Sequence, residues 1–293
     1  MIMIDFIQAV IDGIAIGSLY ALIAIGYSMV FGILQFVNFA HGELFMLGAY
    51  FVMLLLTIGT PIWAALLLAI LAVGVIAIVI ERVAYKPLRK HNRLAPLITA
   101  VAMSLFLQNI VQVLFSPNSL SYPINIPGNI LTFGDLFVRI RDIGIFLLTI
   151  LLVISLELFL NKTKAGKGIR ALAMHTDASK ICGVPFDRTV SLTFFIGAML
   201  AVIAGTIQGM ATNQIFPLMG VNAGLKAFAA AVLGGIGDLK GAVLGGLFLG
   251  ISESMLVSYE LSTYKDGFAF VLLIIVLLVR PQGILGRAQL VKV

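Results

Sequence analysis

The chain reads as an all-α polytopic membrane protein, with about 8–9 transmembrane segments in two inverted repeats. Long apolar runs, charges gathered at their ends and an internal echo lead to that reading. Of 293 residues, 61% are hydrophobic and 11% charged, against about 45–50% and about 25% in a soluble domain. Ile62–Ile80 and Phe268–Val279 carry no charge at all. A soluble core of this size has no use for so much apolar surface. A single transmembrane domain over residues 1–293 is expected, with no soluble extension. Met1–Asp5 is short and lacks basic residues, so the first segment is expected to remain in the mature protein and not to act as a cleaved leader.

Nine apolar segments can be drawn, at about 6–34, 42–58, 62–80, 94–115, 143–160, 188–211, 223–236, 241–258 and 267–280. A full helical crossing takes about 20 residues. The first segment is too long for one upright helix, so it tilts or begins along the interface. The seventh has only 14 residues, which leaves eight crossings and a re-entrant piece as the alternative. Charge favours nine. With loops 81–93, 161–187 and 237–240, the tail 280–293 and Arg188 on the cytoplasmic side, that side holds 15 of the 19 Lys and Arg residues. The opposite side holds Arg139, Arg141 and Lys265, and Lys226 lies inside segment seven. This bias predicts an N-terminus outside and a C-terminus in the cytoplasm, hence an odd number of crossings. It also accounts for the net charge of +6 without nucleic acid. Cys182 is the only cysteine, so no internal disulfide or Cys-rich metal site is possible.

The echo joins Ile16–Ala24 to Ile196–Ala204, identical at five of nine positions after a shift of 180 residues. The same shift carries segment three close to segment eight. Segment one runs inward and segment six outward under the charge rule. The repeat halves are therefore inverted, about 6–115 and 188–280, with segment five as connector. The alternative is chance likeness between two helices drawn from a small apolar alphabet.

Glycines recur four residues apart at Gly13/Gly17, Gly205/Gly209, Gly241/Gly245 and Gly246/Gly250. That spacing marks surfaces where helix backbones approach closely. Gly234, Gly235 and Gly237, followed by Asp238, read instead as a tight turn between segments seven and eight.

Polar residues at membrane depth are the candidate site. Asn38, His41 and Glu43 cluster between segments one and two. They read as caps for broken helix ends, or as lining of a pathway or gate, or as a proton relay. A metal site would need a second cluster of ligands, which is lacking. Gln108 and Gln112 share a helix face in segment four, and Asn213 follows segment six; each bonds a neighbouring helix or faces the pathway. Gln208 and Glu253 read the same two ways. No row of acids or arginines crosses the membrane and no embedded charged pair is expected. That argues against a proton pump, a voltage sensor, a charged-ring channel and a self-sufficient secondary transporter.

Loop 161–187 spaces Ile169, Leu172, Ala173 and Ile181 as one apolar helical face, ended by Gly183 and Pro185. Such a helix lies on the membrane surface or docks into a partner's groove. No phosphate loop occurs, since Gly166-Lys167 is followed by Gly168 and not by Ser or Thr. A separate subunit must bind any ATP that drives the protein.

Gly26–Ile33, Asn38–Glu43, Glu81–Arg89, Lys226–Gly237 and Arg280–Gly286 resemble, in order and over nearly the whole chain, the LivH-type permeases. These are membrane subunits of bacterial ABC importers for branched-chain amino acids. The resemblance implies a non-enzymatic transport subunit of the inner membrane, without cofactor or metal. It implies a second permease subunit, two cytoplasmic ABC ATPases and a periplasmic or lipid-anchored binding protein facing loop 116–142. It makes 161–187 the ATPase-coupling loop, around Gly166, Gly168, Arg170, Ala171, Asp177 and Gly183. Urea and short-chain amide permeases share the Ala-His-Gly-Glu element and stand as the alternative, although Asn38-Phe39 looks more like the amino-acid branch. An ATP-independent transporter is the more distant alternative.

Overall fold

A computed structural model of the chain describes residues 2–90, 94–124, 129–133, 136–280 and 282–286. Arg93, Arg287 and Lys292 of the charge argument, and Pro281 of the Arg280–Gly286 motif, lie outside the described residues. The helices are α1 (Ile2–Leu34), α2 (His41–Thr57), α3 (Ile62–Ile80), α4 (Leu94–Leu114), α5 (Ile140–Lys162), α6 (Lys164–Met174), α7 (Thr176–Ile181), α8 (Phe186–Thr212), α9 (Met219–Gly234), α10 (Leu239–Ser258) and α11 (Lys265–Val279). The strands are β1 (Leu120–Ser121), β2 (Ile130–Phe133), β3 (Leu136–Arg139) and β4 (Gln214–Ile215).

Each of the nine apolar segments becomes a helix, and α6 and α7 form in loop 161–187. Among the described residues, seven helical runs are long and apolar enough to cross a membrane. The other two are α2 and α9, of 17 and 16 residues. At about 1.5 Å per residue each reaches roughly 25 Å, short of a hydrocarbon core of about 30 Å. Segment seven is thus one of two short helices, and segment two is the other. α1 is a single continuous helix of 33 residues.

α1 and α8 are the two central posts. α1 packs on α10 and α9, α8 packs on α3 and α2, and the posts touch each other. Glycine faces make these crossings close. A Cβ on Gly17 would stand 2.7 Å from Leu247 Cα, and one on Gly246 would stand 2.6 Å from the Ala21 nitrogen. Neither distance is tolerable, so a side chain at either position would force α1 and α10 apart. α2 crosses α9 in the same way, since a Cβ on Gly224 would lie 2.9 Å from Gly42 Cα. The outer helices show apolar faces to the surroundings; Val113 of α4 and Leu278 of α11 are 85% and 80% exposed.

The turn after α9 forms as its glycines require. Gly235 and Gly237 take φ of 110° and 93°, a region costly for a residue with a Cβ. Asp238 then caps α10, its carboxylate accepting from the Gly241 amide at 2.9 Å.

The end of the bundle that carries the N-terminus also carries the strands. β2 and β3 form an antiparallel hairpin, and β1 pairs with β4 just after α8. Gln8 of α1 donates to the Phe137 carbonyl at 2.8 Å and accepts from the Phe137 amide at 3.0 Å. Arg139 bridges Asp12 at 3.0 Å and Asp142 at 2.9 Å. Partial burial works against the Arg139 charge, but Asp142 and Asp12 together hold its pKa above the ordinary value.

Candidate functional site

The entry to α2 is a sealed polar layer. Glu43 is fully buried, and its Oε1 accepts from Ser104 Oγ at 2.8 Å and from Gln108 Nε2 at 2.9 Å, both on α4. Ser104 and Gln108 are one helical turn apart and bond each other at 3.0 Å. Asn38 Oδ1 accepts from the Tyr85 hydroxyl at 2.6 Å. The expectation that Asn38 and Glu43 cap helix ends is therefore corrected. α2 has no side-chain cap, and both residues spend their hydrogen bonds on neighbouring elements. The backbone caps itself instead, with the Glu43 amide donating to the Ala40 carbonyl at 3.1 Å. His41 is buried edge-on to Tyr27, ring centroids 4.8 Å apart. Gly26 of α1 and Gly197 of α8 make room for its imidazole, since a Cβ on Gly197 would stand 3.2 Å from His41 Cε1. That gives two glycines, one in the Gly26–Ile33 motif and one in the echo, a shared packing reason.

The candidate residues do not form one site. Gln108 joins Glu43, whereas Gln112 is only half-buried and forms none of these bonds. Asn213 lies beyond α8 as its left-handed cap, φ 58°, and its carbonyl accepts from the Tyr122 amide at 3.0 Å.

A second polar cluster was not legible as one in the sequence. Lys226 of α9 and Glu253 of α10 are both buried, with Nζ 3.0 Å from Oε1 and 3.2 Å from Oε2. Asp266 at the start of α11 stands 2.6 Å from the same Nζ, and the Tyr20 hydroxyl donates to Glu253 Oε2 at 2.8 Å. This contradicts the expectation that no charged pair is embedded. Its signal was Lys226 itself, a lone cation inside an apolar run. One sequence argument against a self-sufficient transporter falls with it. The cluster borders a cavity of about 330 Å³ between α1, α8, α9, α10 and α11, at the N-terminal end of the bundle.

At the opposite end, Arg89 ion-pairs with Glu81 and lies 3.1 Å from Asp187, which Lys86 also meets at 2.7 Å. Ser191 of α8 donates to Glu81 at 2.7 Å. The Phe186 ring sits between Arg89 and Lys180, at 5.1 and 4.7 Å from its centroid. Cation–π contacts thus tie α7 to the foot of α8.

The loop's single apolar face is corrected as well. His175, with φ −151° and ψ 96°, breaks it into α6 and α7. Ile169 and Leu172 are buried, but Ala173, on α6 itself, is exposed, and Ile181 is 88% exposed because the break turns α7 away from the α6 face. Met174, beside the break, is 70% exposed. Gly166 packs against the end of α5 and its amide is capped by Thr163 Oγ1 at 3.0 Å. Gly168 leaves space beside Val184, 3.4 Å from the position of a Cβ. The Ala171 carbonyl closes α6 by accepting from the His175 amide at 3.0 Å. Arg170 bonds Asn161, Asp177 meets Lys180 at 3.1 Å, and Gly183 turns the chain at φ 84°.

The family described as "Branched-chain amino acid transport system / permease component" matches residues 9–277. The chain belongs to this family. It is 42% identical over 302 residues, 98% of both chains, to the high-affinity branched-chain amino acid transport system permease protein BraD of Pseudomonas aeruginosa. It is 42% identical over 304 residues, again 98% of both chains, to the corresponding protein LivH of Escherichia coli K12. A partial likeness, 30% over 131 residues and 42% of this chain, reaches the xylose transport system permease protein XylH of Haemophilus influenzae. No solved structure matches the chain. This permease component is accordingly an all-α, multi-pass membrane protein, as its motifs and apolar helices led us to expect.

Proposed function

We propose that this permease component forms the translocation pathway of an ATP-driven importer for leucine, isoleucine and valine in the bacterial inner membrane. The observation that carries this reading is 42% identity, over 98% of both chains, to permeases named for branched-chain amino acids. ATP is bound elsewhere, since the sequence has no phosphate loop. Two cytoplasmic ATPases supply the energy, a second permease subunit completes the pathway, and a binding protein delivers substrate to the strand-bearing end.

The N-terminus lies outside and the C-terminus in the cytoplasm, which puts α6 and α7 on the ATPase side. Exposed Met174 and Ile181 suit a helical pair that inserts into a partner's groove. Their link through Lys180 and Phe186 to α8 offers a rigid route from ATPase to bundle.

An inverted repeat underlies the bundle in this reading. A shift of 180 residues carries α1, α2 and α3 onto the ranges of α8, α9 and α10, short helix onto short helix. It also exchanges the neighbours of the two posts, α10 and α9 for α3 and α2. Two related halves around a shared axis are a usual basis for alternating access.

Reconstitution with the cognate partners tests the scheme. Leucine-loaded binding protein is expected to stimulate ATP hydrolysis and uptake; stimulation by urea-loaded binding protein in its place would move the assignment to the urea or amide branch. Uptake by this chain alone, without ATP, would overturn it. Gly168→Pro removes an α6 hydrogen bond and costs the helix about 3 kcal/mol. It is expected to uncouple hydrolysis from uptake without loss of membrane insertion, and normal leucine uptake would sink the coupling role.

A further inference from the structure

The charged cavity at the N-terminal end has the chemistry of a small zwitterion's binding site. Its volume of about 330 Å³ falls at the low end of small-molecule sites, about 300–1,000 Å³. Ile16, Leu19, Phe45 and Met219 supply apolar wall. Lys226, Glu253, Asp266 and Lys265 supply charge of both signs on the same lining.

The charges are not all satisfied by one another. Glu253 Oε1 stands 3.0 Å from Lys226 Nζ but has no aligned hydrogen-bond donor. That oxygen is shut off from solvent, so a guest's N–H group reaches it only by displacing a neighbouring side chain. Lys265 is exposed at the mouth and forms no ion pair among the described residues. Asp266 is 63% exposed there, so the cluster is reachable from outside while Glu253 stays buried. A purely structural salt bridge would gain nothing from such an opening. In a low-dielectric wall, a buried pair with spare valence favours a guest that completes it.

We propose that this cavity is a transit site for an apolar α-amino acid. Glu253 and Asp266 take its α-ammonium, Lys226 and Lys265 its carboxylate, and the apolar wall its branched side chain. The inference rests on the substrate class proposed above and adds a substrate site within this subunit to the selection made by the binding protein.

The test uses the assembled importer in proteoliposomes with saturating leucine-loaded binding protein. Ala223→Phe fills the cavity from α9 without touching a charge. Lys226→Met with Glu253→Gln removes the buried ion pair as a unit and leaves no buried orphan charge, since Asp266, which also loses Lys226, is 63% exposed. Val113→Ala, on the exposed face of α4, is the control. Leucine uptake is expected to fall about tenfold or more in both cavity variants, while ATPase stimulation by the binding protein stays within about twofold of wild type. Uptake near wild type in Ala223→Phe overturns the proposal, and this holds even if the charge variant fails to assemble. A wild-type importer that moves urea and not leucine would instead show that the substrate reading had failed.

Discussion

Two carboxylates sit deep in this bundle, and their surroundings are opposite. Glu43 is sealed, its Oε1 answered only by the neutral donors Ser104 and Gln108 and its Oε2 by none among the described residues. Glu253 is answered by a cation and a hydroxyl, and its cluster borders a cavity at the N-terminal end of the bundle. A sealed, neutral network holds helices in register; an open, charged one can exchange partners. Under the proposal of a transit site, the contrast separates residues that build the permease from those positioned to meet its cargo.

Breaking the charged side of the comparison should cost most. Lys226→Met alone leaves Glu253 buried without its cation, an expected loss of about 3–5 kcal/mol. Thermal unfolding in detergent would read it, and Glu253→Gln added to the same chain should recover most of the loss. Equal instability of the single and double variants would mean that the pair is not coupled. Glu43→Ala orphans two interhelical donors and should cost less, about 1–2 kcal/mol, with uptake by surviving complexes little changed. A transport defect in stable Glu43→Ala complexes would erase the distinction drawn here. Tyr20→Phe removes one bond to Glu253 while Lys226 remains, so about 0.6–1 kcal/mol is expected from the same unfolding measurement.

Much of the architecture is legible in the sequence, because the membrane demands apolar length and small residues at close crossings. All nine segments became helices, and the Gly17 and Gly246 faces meet as their spacing suggested. Long-range pairing is not legible. Lys226 and Glu253 are 27 residues apart on separate helices, and Tyr85 and Asn38 are 47 apart. Lys226 stands out as a lone cation in an apolar run, but nothing local names the partner in either pair. The break at His175 was hidden for another reason: one apolar period can run through a kink that turns Ile181 outward. Of the candidate site, Glu43 and Gln108 came together, while Asn213 proved to be a helix cap. The cavity's own residues, Tyr20 and Asp266, carry no sequence signal beyond their chemistry.

Cysteine accessibility tests the contrast most directly. With exposed Cys182 replaced by serine, Asn222→Cys places a thiol on the cavity lining and Ser104→Cys places one in the sealed layer. A membrane-impermeant thiol reagent, added outside right-side-out vesicles that hold the full importer, should label Asn222→Cys and leave Ser104→Cys unmodified. Leucine delivered by its binding protein should slow the first reaction. Equal labelling at both positions, or labelling of Asn222→Cys that leucine does not slow, would contradict the account.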